Sequence, residues 1–231
     1  MQPIVWIDGT IGAGKSTLVE QLGKALNYRI FQEPVAPKSH LELFYSDPKR
    51  YAFGFQIEMM RKRWDIHRLA MLECRCATVK GCLLDRGLPG DRVFANLHCE
   101  SGNIHVFEWE TYEKLYQEFM SVPNLQPTLL IYLDVSPEAA YRRIHQRGRP
   151  SEEKISLWYL ADLQRAYRKL LDEIKNGLHP WSNGLQVLEI PWSLDNQPIE
   201  PIINRVKSIL YPGYFPPLPE ARVGGQLNLL A

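Results

Sequence analysis

The sequence lacks the features that place a chain in a membrane or on a nucleic acid. None of its hydrophobic runs approaches the ~20 consecutive apolar residues that a membrane-spanning helix needs. Neither sign of charge predominates, because 27 lysines and arginines oppose 26 aspartates and glutamates for a formal net charge of +1. No run of basic residues is long enough to form a local patch for nucleic acid. We therefore expect neither a membrane nor a nucleic acid among the partners of this chain.

Cysteine is scarce, with four residues in a chain of 231. The spacing of Cys74, Cys76, Cys82 and Cys99 fits no zinc-binding pattern, and a disulfide framework is unusual in a chain of this length. Reduced thiols are therefore expected. The first predicted strand begins at residue 4, which leaves no room for a targeting peptide, so the sequence predicts a cytoplasmic location.

A phosphate-binding signature lies close to the N-terminus. Residues 9–16 read Gly-Thr-Ile-Gly-Ala-Gly-Lys-Ser and match the P-loop pattern G-x-x-x-x-G-K-[ST]. Its glycines allow successive backbone N–H groups to turn toward phosphate oxygens, while Lys15 supplies a positive charge and Ser16 a hydroxyl group for Mg²⁺. The predicted ATP-binding residues of this loop are Gly9, Thr10, Ile11, Gly12, Ala13, Gly14, Lys15, Ser16 and Thr17.

Short apolar runs alternate with helical patterns along the rest of the chain. Strands are predicted at residues 4–7, 28–32, 82–84, 128–135 and 185–190. Helices are predicted at 17–27, 41–45, 51–79, 91–99, 109–120, 137–147, 155–175 and 198–210, with a turn at 87–90. Such alternation is typical of an α/β fold with a parallel sheet covered by helices on both faces. We expect one domain over residues 1–210 and a Pro- and Gly-rich tail without regular structure over 211–231.

The long helix at 51–79 is expected to bury Phe55, Met59, Ile66 and Leu69, which repeat at helical spacing, and to end at Gly81. Gln56 and Arg63 share another face of this helix. An amide and a guanidinium there suit hydrogen bonds to the edge of a nucleobase, although such a pair is more often simply solvated.

Polar residues follow three predicted strands. The P-loop follows the first strand, Glu33 the second, and Asp85 with Arg86 the third. Ligands of such sheets lie beyond the carboxyl ends of the strands, so these groups are expected to converge. Asp85 is placed to hold Mg²⁺ with Ser16, directly or through water. Glu33 is a candidate general base, with a cap or surface role as the alternative.

Three arginines follow the fourth strand. Arg143 and Arg147 lie four residues apart on one helix face, and Arg149 follows Gly148, a residue that can act as a hinge. Mobile arginines that close over a triphosphate stabilise the charge of the transition state. The alternative is an ordinary basic helix end that complements the helix dipole.

Together these motifs resemble the deoxyribonucleoside kinase family, in particular its deoxycytidine- and deoxyguanosine-kinase-like members, over nearly the whole chain to about residue 210. The motifs that carry the resemblance are the P-loop, Glu33-Pro34-Val35, Tyr45 ahead of Phe55-Gln56, Asp85-Arg86 with Asp91, and Arg143-x-x-x-Arg147-Gly148-Arg149 before Glu152-Glu153 and Tyr159. The resemblance implies a P-loop kinase fold with a five-stranded parallel sheet, an arginine-rich lid and a homodimer formed through helices.

The resemblance also implies a salvage reaction and residue roles. ATP with Mg²⁺ phosphorylates the 5′-hydroxyl of a 2′-deoxyribonucleoside. Glu33 takes the hydroxyl proton, Arg86 and Lys15 complete the catalytic set, and Arg143, Arg147 and Arg149 close over ATP. The implied substrate-binding residues are Glu33, Tyr45, Phe55 (with Phe94 as the alternative stacking residue), Gln56, Met59, Arg63, Arg86, Asp91 and Glu153.

Two points of this resemblance concern specificity. The charged pair Arg63 and Asp91 favours deoxycytidine or a purine deoxynucleoside over thymidine, whereas Met59 is a large residue for a purine pocket. In the lid, the link at 150–151 leaves open whether Glu152 or Glu153 reaches the sugar, and Glu153 is the predicted contact.

Other classes compete with this interpretation. A thymidylate-type monophosphate kinase shares the sheet, P-loop and lid, but Glu33 beside the acceptor oxygen would repel the phosphate of such a substrate. An inactive nucleotide-binding scaffold is disfavoured because it need not retain all five of Lys15, Ser16, Glu33, Asp85 and Arg86. A regulatory GTPase is disfavoured because the sequence has no guanine-reading Asn-Lys-x-Asp segment.

Overall fold

A computed structural model of the chain describes residues 2–122, 126–192 and 198–215. The chain divides into two compact units, Met1–Gln197 and Pro198–Ala231. The first unit contains the sheet and the P-loop. The predicted domain boundary at residue 210 stays a prediction.

The sheet has five strands, all parallel to their neighbours, in the order β2-β3-β1-β4-β5. Its strands are β1 (Ile4–Gly9), β2 (Arg29–Phe31), β3 (Cys82–Asp85), β4 (Leu129–Asp134) and β5 (Gln186–Pro191). Because all the strands are parallel, the loops that follow β1, β2 and β3 emerge at one edge of the sheet. The predicted α/β class and the predicted five-stranded parallel sheet are confirmed.

Seven α-helices lie in the described part of the first unit. They are α1 (Lys15–Leu26), α2 (Lys38–Ser46), α3 (Pro48–Glu73), α4 (Leu88–Glu100), α5 (Val106–Ser121), α6 (Pro137–Arg147) and α7 (Leu157–Lys175). A short 3₁₀ turn, Pro150–Glu152, joins α6 to α7. None of the helices in the described part of the chain combines the length and the apolar character that crossing a bilayer requires.

Helices cover both faces of the sheet, as predicted. On one face, Trp6 and Leu84 belong to a buried cluster with Met60 of α3, Tyr112 of α5 and Leu163 of α7. On the other face, α1 packs so closely that a Cβ atom added to Gly23 would lie 2.4 Å from the Ile30 side chain and 3.6 Å from the Leu83 side chain. Successive strand residues point to opposite faces, which is why Leu83 and Leu84 contact different helices.

Helices α2 and α5 begin three residues earlier than predicted, at Lys38 and Val106. Two further helix boundaries that differ from the sequence prediction have a local cause. Helix α3 ends at Glu73 rather than near residue 79, because the following N–H groups of Arg75 and Cys76 bond to carbonyls three residues back and form turns. The predicted turn at 87–90 is instead the first turn of α4, where the fixed φ of Pro89 is compatible with a helix start. Leu69, predicted as buried, is 54% exposed.

Helix α8 (Glu200–Leu210) belongs to the second unit. Within that unit, the Tyr214 hydroxyl donates to Asn204 Oδ1 at 2.8 Å. The predicted tail begins at residue 211, and its residues 216–231 lie outside the described part of the chain.

Candidate active site

The P-loop joins β1 to α1 and has a backbone conformation that its glycines make possible. Gly12 and Gly14 have φ angles of 75° and 93°, in the left-handed region that other residues avoid. A Cβ atom on Gly12 would also lie 2.7 Å from the Ala140 carbonyl oxygen. Helix α1 begins at Lys15, so the unpaired N–H groups of its first turn face the site and can bind an anion.

Lys15 is buried at the base of this loop. Its Nζ donates to the Thr10 carbonyl at 3.0 Å and to the Gly9 carbonyl at 3.4 Å. Burial, followed by the positive charge of Arg86, lowers the Lys15 pKa to about 8. The ammonium group is therefore mostly charged at neutral pH.

Ser16 and Asp85 form the pair that could hold a metal ion. The Ser16 hydroxyl donates to Asp85 Oδ2 at 2.6 Å, while Asp85 Oδ1 is buried without a hydrogen-bond partner among the described residues. Burial raises the pKa of Asp85 above its ordinary value. A hydroxyl beside a carboxylate with a spare buried oxygen matches the hard oxygen ligands that Mg²⁺ prefers. The residues present therefore fit this cation.

Glu33 lies between two arginines from different elements. Its Oε1 accepts from Arg86 Nε at 2.7 Å and from Arg63 Nη2 at 2.6 Å. Burial acts to raise the Glu33 pKa, but the charges of Arg86 and Arg63 outweigh it and hold this pKa well below the ordinary range. The carboxylate is thus ionised, and 32% of its side chain remains exposed to the cavity.

Arg63 links Glu33 to Asp91, a buried acid. Its Nη1 pairs with Asp91 Oδ1, and Asp91 Oδ2 accepts from the Tyr112 hydroxyl at 2.5 Å. Asp91 is fully buried and lies behind Arg63 rather than in the cavity wall. Of this predicted pair, therefore, only Arg63 lines the cavity, and Asp91 holds the Arg63 side chain in place.

Arg86 has an unusual backbone conformation directly after β3. Its φ of 71° lies in the left-handed region, which costs a non-glycine residue roughly 1–2 kcal/mol. Its side chain is buried, and its guanidinium carbon lies 4.7 Å from the centroid of the Phe94 ring. The guanidinium group also contacts Asp8 and Tyr167, two residues that the sequence patterns did not single out. The only sequence signal for Asp8 was an acidic residue at the end of an otherwise apolar strand.

One cavity of about 890 Å³ contains most of the predicted site. Its volume is in the range of small-molecule sites. The predicted residues that line it are Ile11, Gly12, Gly14, Lys15, Ser16, Thr17, Glu33, Tyr45, Phe55, Gln56, Met59, Arg63, Asp85, Arg86, Arg147 and Arg149. The predicted residues that do not line it are Gly9, Thr10, Ala13, Asp91, Arg143 and Glu153.

The far end of this cavity contains aromatic side chains and a buried amide. Phe55 stacks on Phe44 with ring centroids 4.5 Å apart, and both rings line the cavity. Gln56 is 4% exposed and lines the cavity. Its amide group can both donate and accept a hydrogen bond, which suits the polar edge of a planar ligand. His98 and Asn103 also line this end, which the sequence analysis did not anticipate.

The arginines of the predicted lid have two different surroundings. Arg143 donates to the Ala13 carbonyl at 3.2 Å and to the Trp192 carbonyl at 3.3 Å, which ties α6 to the P-loop. Arg147 and Arg149 instead pair with Glu152, the latter at 3.4 Å. Arg143 therefore supports the loop backbone, whereas Arg147 and Arg149 lie over the cavity.

The two candidate sugar-binding acids face different ways. The Glu152 side chain is 13% exposed and lines the cavity, and its charge contributes, after burial, to a raised pKa of Tyr45. Glu153 is exposed and lies outside the cavity wall. The structure therefore favours Glu152 over the predicted Glu153 as the acid beside Tyr45.

The chain is similar to known deoxynucleoside kinases in sequence and in fold. The model of the deoxynucleoside kinase family matches residues 5–210 of the chain. A deoxyadenosine kinase from Dictyostelium discoideum is 38% identical over 187 residues, which cover 81% of this chain and 71% of the relative. A deoxyguanosine kinase from the same organism is 33% identical over 190 residues, which cover 82% of this chain and 64% of the relative. A solved deoxyadenosine kinase from M. mycoides with bound dCTP has a TM-score of 0.72 and 30% identity, and the match covers 89% of this chain and 99% of that one.

Proposed function

Because the chain belongs to the deoxynucleoside kinase family, we propose that it transfers the γ-phosphoryl group of ATP to the 5′-hydroxyl of a 2′-deoxyribonucleoside. The observation that carries this proposal is the position of Glu33. An ionised carboxylate lies in the same cavity as Lys15 and Arg86, the cations that would neutralise a triphosphate. A base and phosphate-binding cations in one cavity are what transfer to a hydroxyl group needs.

On the donor side, the N–H groups of the P-loop and Lys15 would bind the outer phosphates of ATP. Arg147 and Arg149 would approach the same phosphates from the lid, exchanging their contact with Glu152 for a contact with the ligand. Mg²⁺, held through Ser16 and Asp85, would neutralise phosphate charge when bound. Arg143 would act indirectly, because it holds the Ala13 carbonyl of the loop.

On the acceptor side, Glu33 would accept a hydrogen bond from the 5′-hydroxyl group and then take its proton. The 5′ oxygen forms a bond to the γ-phosphorus, the bond from that phosphorus to the bridging oxygen breaks, and ADP leaves. The depressed pKa of Glu33 makes it a weak base in the free protein. A bound triphosphate would raise this pKa, because its negative charges oppose those of Arg86 and Lys15.

The nucleoside would lie between the P-loop and the aromatic end of the cavity. Gln56 and Arg63 would bond to the base edge, Phe55 and Met59 would contact its faces, and Tyr45 with Glu152 would hold the 3′-hydroxyl. We propose a preference for purine deoxynucleosides, with deoxycytidine as the second choice. This preference rests on the relatives, which are named for deoxyadenosine and deoxyguanosine, and on the charged pair of Arg63 with Asp91.

We also propose a cytoplasmic homodimer as the working form. Both parts of this proposal rest on the resemblance to the family and on the sequence composition. Light scattering of the purified protein would test the dimer, which predicts a mass near twice that of the 26.8 kDa chain.

The test of the function is transfer of labelled phosphate from ATP with Mg²⁺ to separate deoxynucleosides and deoxynucleoside monophosphates. We expect label on deoxyadenosine, deoxyguanosine or deoxycytidine. Glu33→Gln should lower kcat by roughly 10²–10⁴-fold, since the substitution removes the base. Glu20→Gln, at an exposed position of α1, is the matched control and should keep wild-type activity.

Label on monophosphates alone would contradict the proposal and indicate a monophosphate kinase. ATP binding without transfer to any acceptor would indicate an inactive scaffold. Equal losses in Glu33→Gln and Glu20→Gln would remove Glu33 from the mechanism.

A further inference from the structure

We propose that Asp8 and Tyr167 are positioning residues, which hold the Arg86 guanidinium in the orientation that presents Nε to Glu33. This inference rests on the proposed function for its catalytic consequence, but not for its geometry. Neither Asp8 nor Tyr167 is among the side chains that line the cavity in the described part of the chain. Any effect of these residues on the reaction must therefore pass through another residue.

The Asp8 carboxylate is almost fully buried and collects donors from separate parts of the chain. It accepts from the backbone N–H groups of Gly9 at 3.1 Å and Gly87 at 3.2 Å. It also accepts from Arg86 Nη1 at 3.1 Å and from the Tyr167 hydroxyl at 2.6 Å. One carboxylate thus ties the end of β1 to the turn after β3 and to α7.

Tyr167 adds a second contact on the same arginine atom. Arg86 Nη1 donates to the Tyr167 hydroxyl, and this hydroxyl in turn donates to Asp8 Oδ1. The three side chains form a closed set of donors and acceptors. Burial raises the Tyr167 pKa well above its ordinary value, so the hydroxyl stays protonated and can donate its hydrogen bond to Asp8.

The packing around Asp8 leaves little room for another arrangement. A Cβ atom on Gly90, in the first turn of α4, would lie 2.5 Å from Asp8 Oδ2. A Cβ atom on Gly87 would lie 2.5 Å from the Trp6 ring. The segment from Gly87 to Gly90 therefore packs against Trp6 and Asp8 of β1 more closely than a side chain at either glycine would allow.

These contacts account for the left-handed conformation of Arg86. Such a conformation persists in a non-glycine residue only where the surroundings hold it. Here the Asp8 carboxylate accepts from the Arg86 side chain and from the backbone N–H of the next residue, Gly87. It therefore holds both the side chain of the strained residue and the backbone that follows it. With Nη1 held by Asp8, Tyr167 and the Gly9 carbonyl, Nε is left to bond to Glu33.

The test compares two tyrosines whose rings are neighbours in the core. The Tyr167 and Tyr132 rings lie 5.5 Å apart, but the buried Tyr132 hydroxyl has no hydrogen-bond partner among the described residues. We expect Tyr167→Phe to lower kcat about tenfold with little change in the nucleoside KM, because the hydrogen bonds of its hydroxyl with the charged groups of Arg86 and Asp8 are lost. Asp8→Asn should lower kcat further, about a hundredfold. Tyr132→Phe is the matched control and should keep wild-type kcat.

A double-mutant cycle separates positioning from a general structural role. In the Arg86→Lys background, Tyr167→Phe should change kcat less than twofold, because Arg86 is the residue through which it acts. The same tenfold loss in both backgrounds would overturn the inference, as would equal effects of Tyr167→Phe and Tyr132→Phe.

A second measurement does not depend on activity. The Arg86 Nε–H group gives a ¹H–¹⁵N resonance that can be assigned by its loss in Arg86→Lys. The proton of this group should exchange slowly with water in the wild type and in Tyr132→Phe. We expect faster exchange in Tyr167→Phe and Asp8→Asn. Unchanged exchange would overturn the inference. If the wild type transferred no phosphate to any nucleoside, the proposed function would fail, and the exchange rates would still decide the role of Asp8 and Tyr167.

Discussion

At the scale of single residues, two neighbouring glutamates in the lid differ in where their carboxylates lie. Glu152 faces the cavity and pairs with Arg147 and Arg149, whereas Glu153 is exposed. We expect Glu152→Gln to lower kcat/KM for the nucleoside by roughly 10–100-fold, the effect of losing a hydrogen bond to a charged group. Glu153→Gln should leave kcat/KM within about twofold of the wild type.

Steady-state kinetics at saturating ATP would measure both variants. A matched KM for ATP in the two variants would show that the loss arises at the sugar rather than in the lid arginines. The reverse ranking, with Glu153→Gln the more damaged variant, would contradict this assignment.

Residue types and spacing predicted which side chains could do the chemistry, but not how these side chains are held. Lys15, Glu33, Asp85 and Arg86 follow strands, and the rule for parallel sheets brings them together. Asp8, in contrast, belongs to no sequence motif. Its partner Tyr167 is 159 residues away in sequence, so only the packing of α7 against the sheet reveals the contact.

At the scale of elements, two helical glycines have opposite surroundings. A Cβ atom on Gly54 of α3 would meet nothing within 4 Å, whereas one on Gly23 of α1 would lie 2.4 Å from the Ile30 side chain. Gly54→Ala should raise the free energy of unfolding by roughly 0.5–1 kcal/mol, because alanine is the better helix former. Gly23→Ala should lower it by roughly 1–2 kcal/mol, because overpacking against Ile30 exceeds that gain.

Urea unfolding followed by circular dichroism would compare these two variants with the wild type. Since both substitutions add one methyl group inside a helix, each controls for the general effect of replacing glycine. A gain in stability for Gly23→Ala would mean that α1 lies farther from β2 than the structure shows.

Periodicity placed the elements along the chain but not all of their ends. The pattern in residues 51–79 continues past Glu73, yet the chain must turn there to enter β3 at Cys82, and the turns that do so retain some helical spacing. At the start of α4, Gly87 and Pro89 resemble a turn. Pro89 is also compatible with the first turn of a helix, and close packing of Gly90 against Asp8 decides between the two.

At the scale of the whole molecule, the strand order turns scattered motifs into one site. β1 lies between β3 and β4, and β3 lies between β1 and β2. The P-loop, Glu33 and Arg86 therefore meet at one edge of the sheet. Gly9 and Arg86, for example, are in contact although they lie 77 positions apart in the sequence. The alternation of strands and helices predicted this convergence without predicting any distance within it.

The same compact core makes the stability of the molecule sensitive to acid. Burial lowers the pKa of His98 to about 4, and burial with the charge of Arg92 lowers that of His179 to about 4. Both rings are neutral acceptors at Nδ1, His98 from the Asn103 amide and His179 from the Trp181 N–H. In the unfolded chain each ring takes up a proton near its ordinary pKa of about 6.5.

The unfolded state therefore binds more protons than the folded state between about pH 6.5 and pH 4. The contribution of each histidine to stability is fully present above this window and is lost as the pH falls through it. Asp85 and Asp91 act in the opposite direction, because burial raises their pKa values. For this reason the slopes of variants are compared rather than the absolute slope of the wild type.

We expect His98→Gln to reduce the slope of unfolding free energy against pH by up to about 1.4 kcal/mol per pH unit between pH 5 and 6.5, the value for one proton. Adding His179→Gln should remove a similar amount again. Urea unfolding at several pH values measures these slopes. If His98→Gln kept the wild-type slope, the His98 ring would be protonated in the folded protein, contrary to its burial and to the hydrogen bond that it accepts from Asn103.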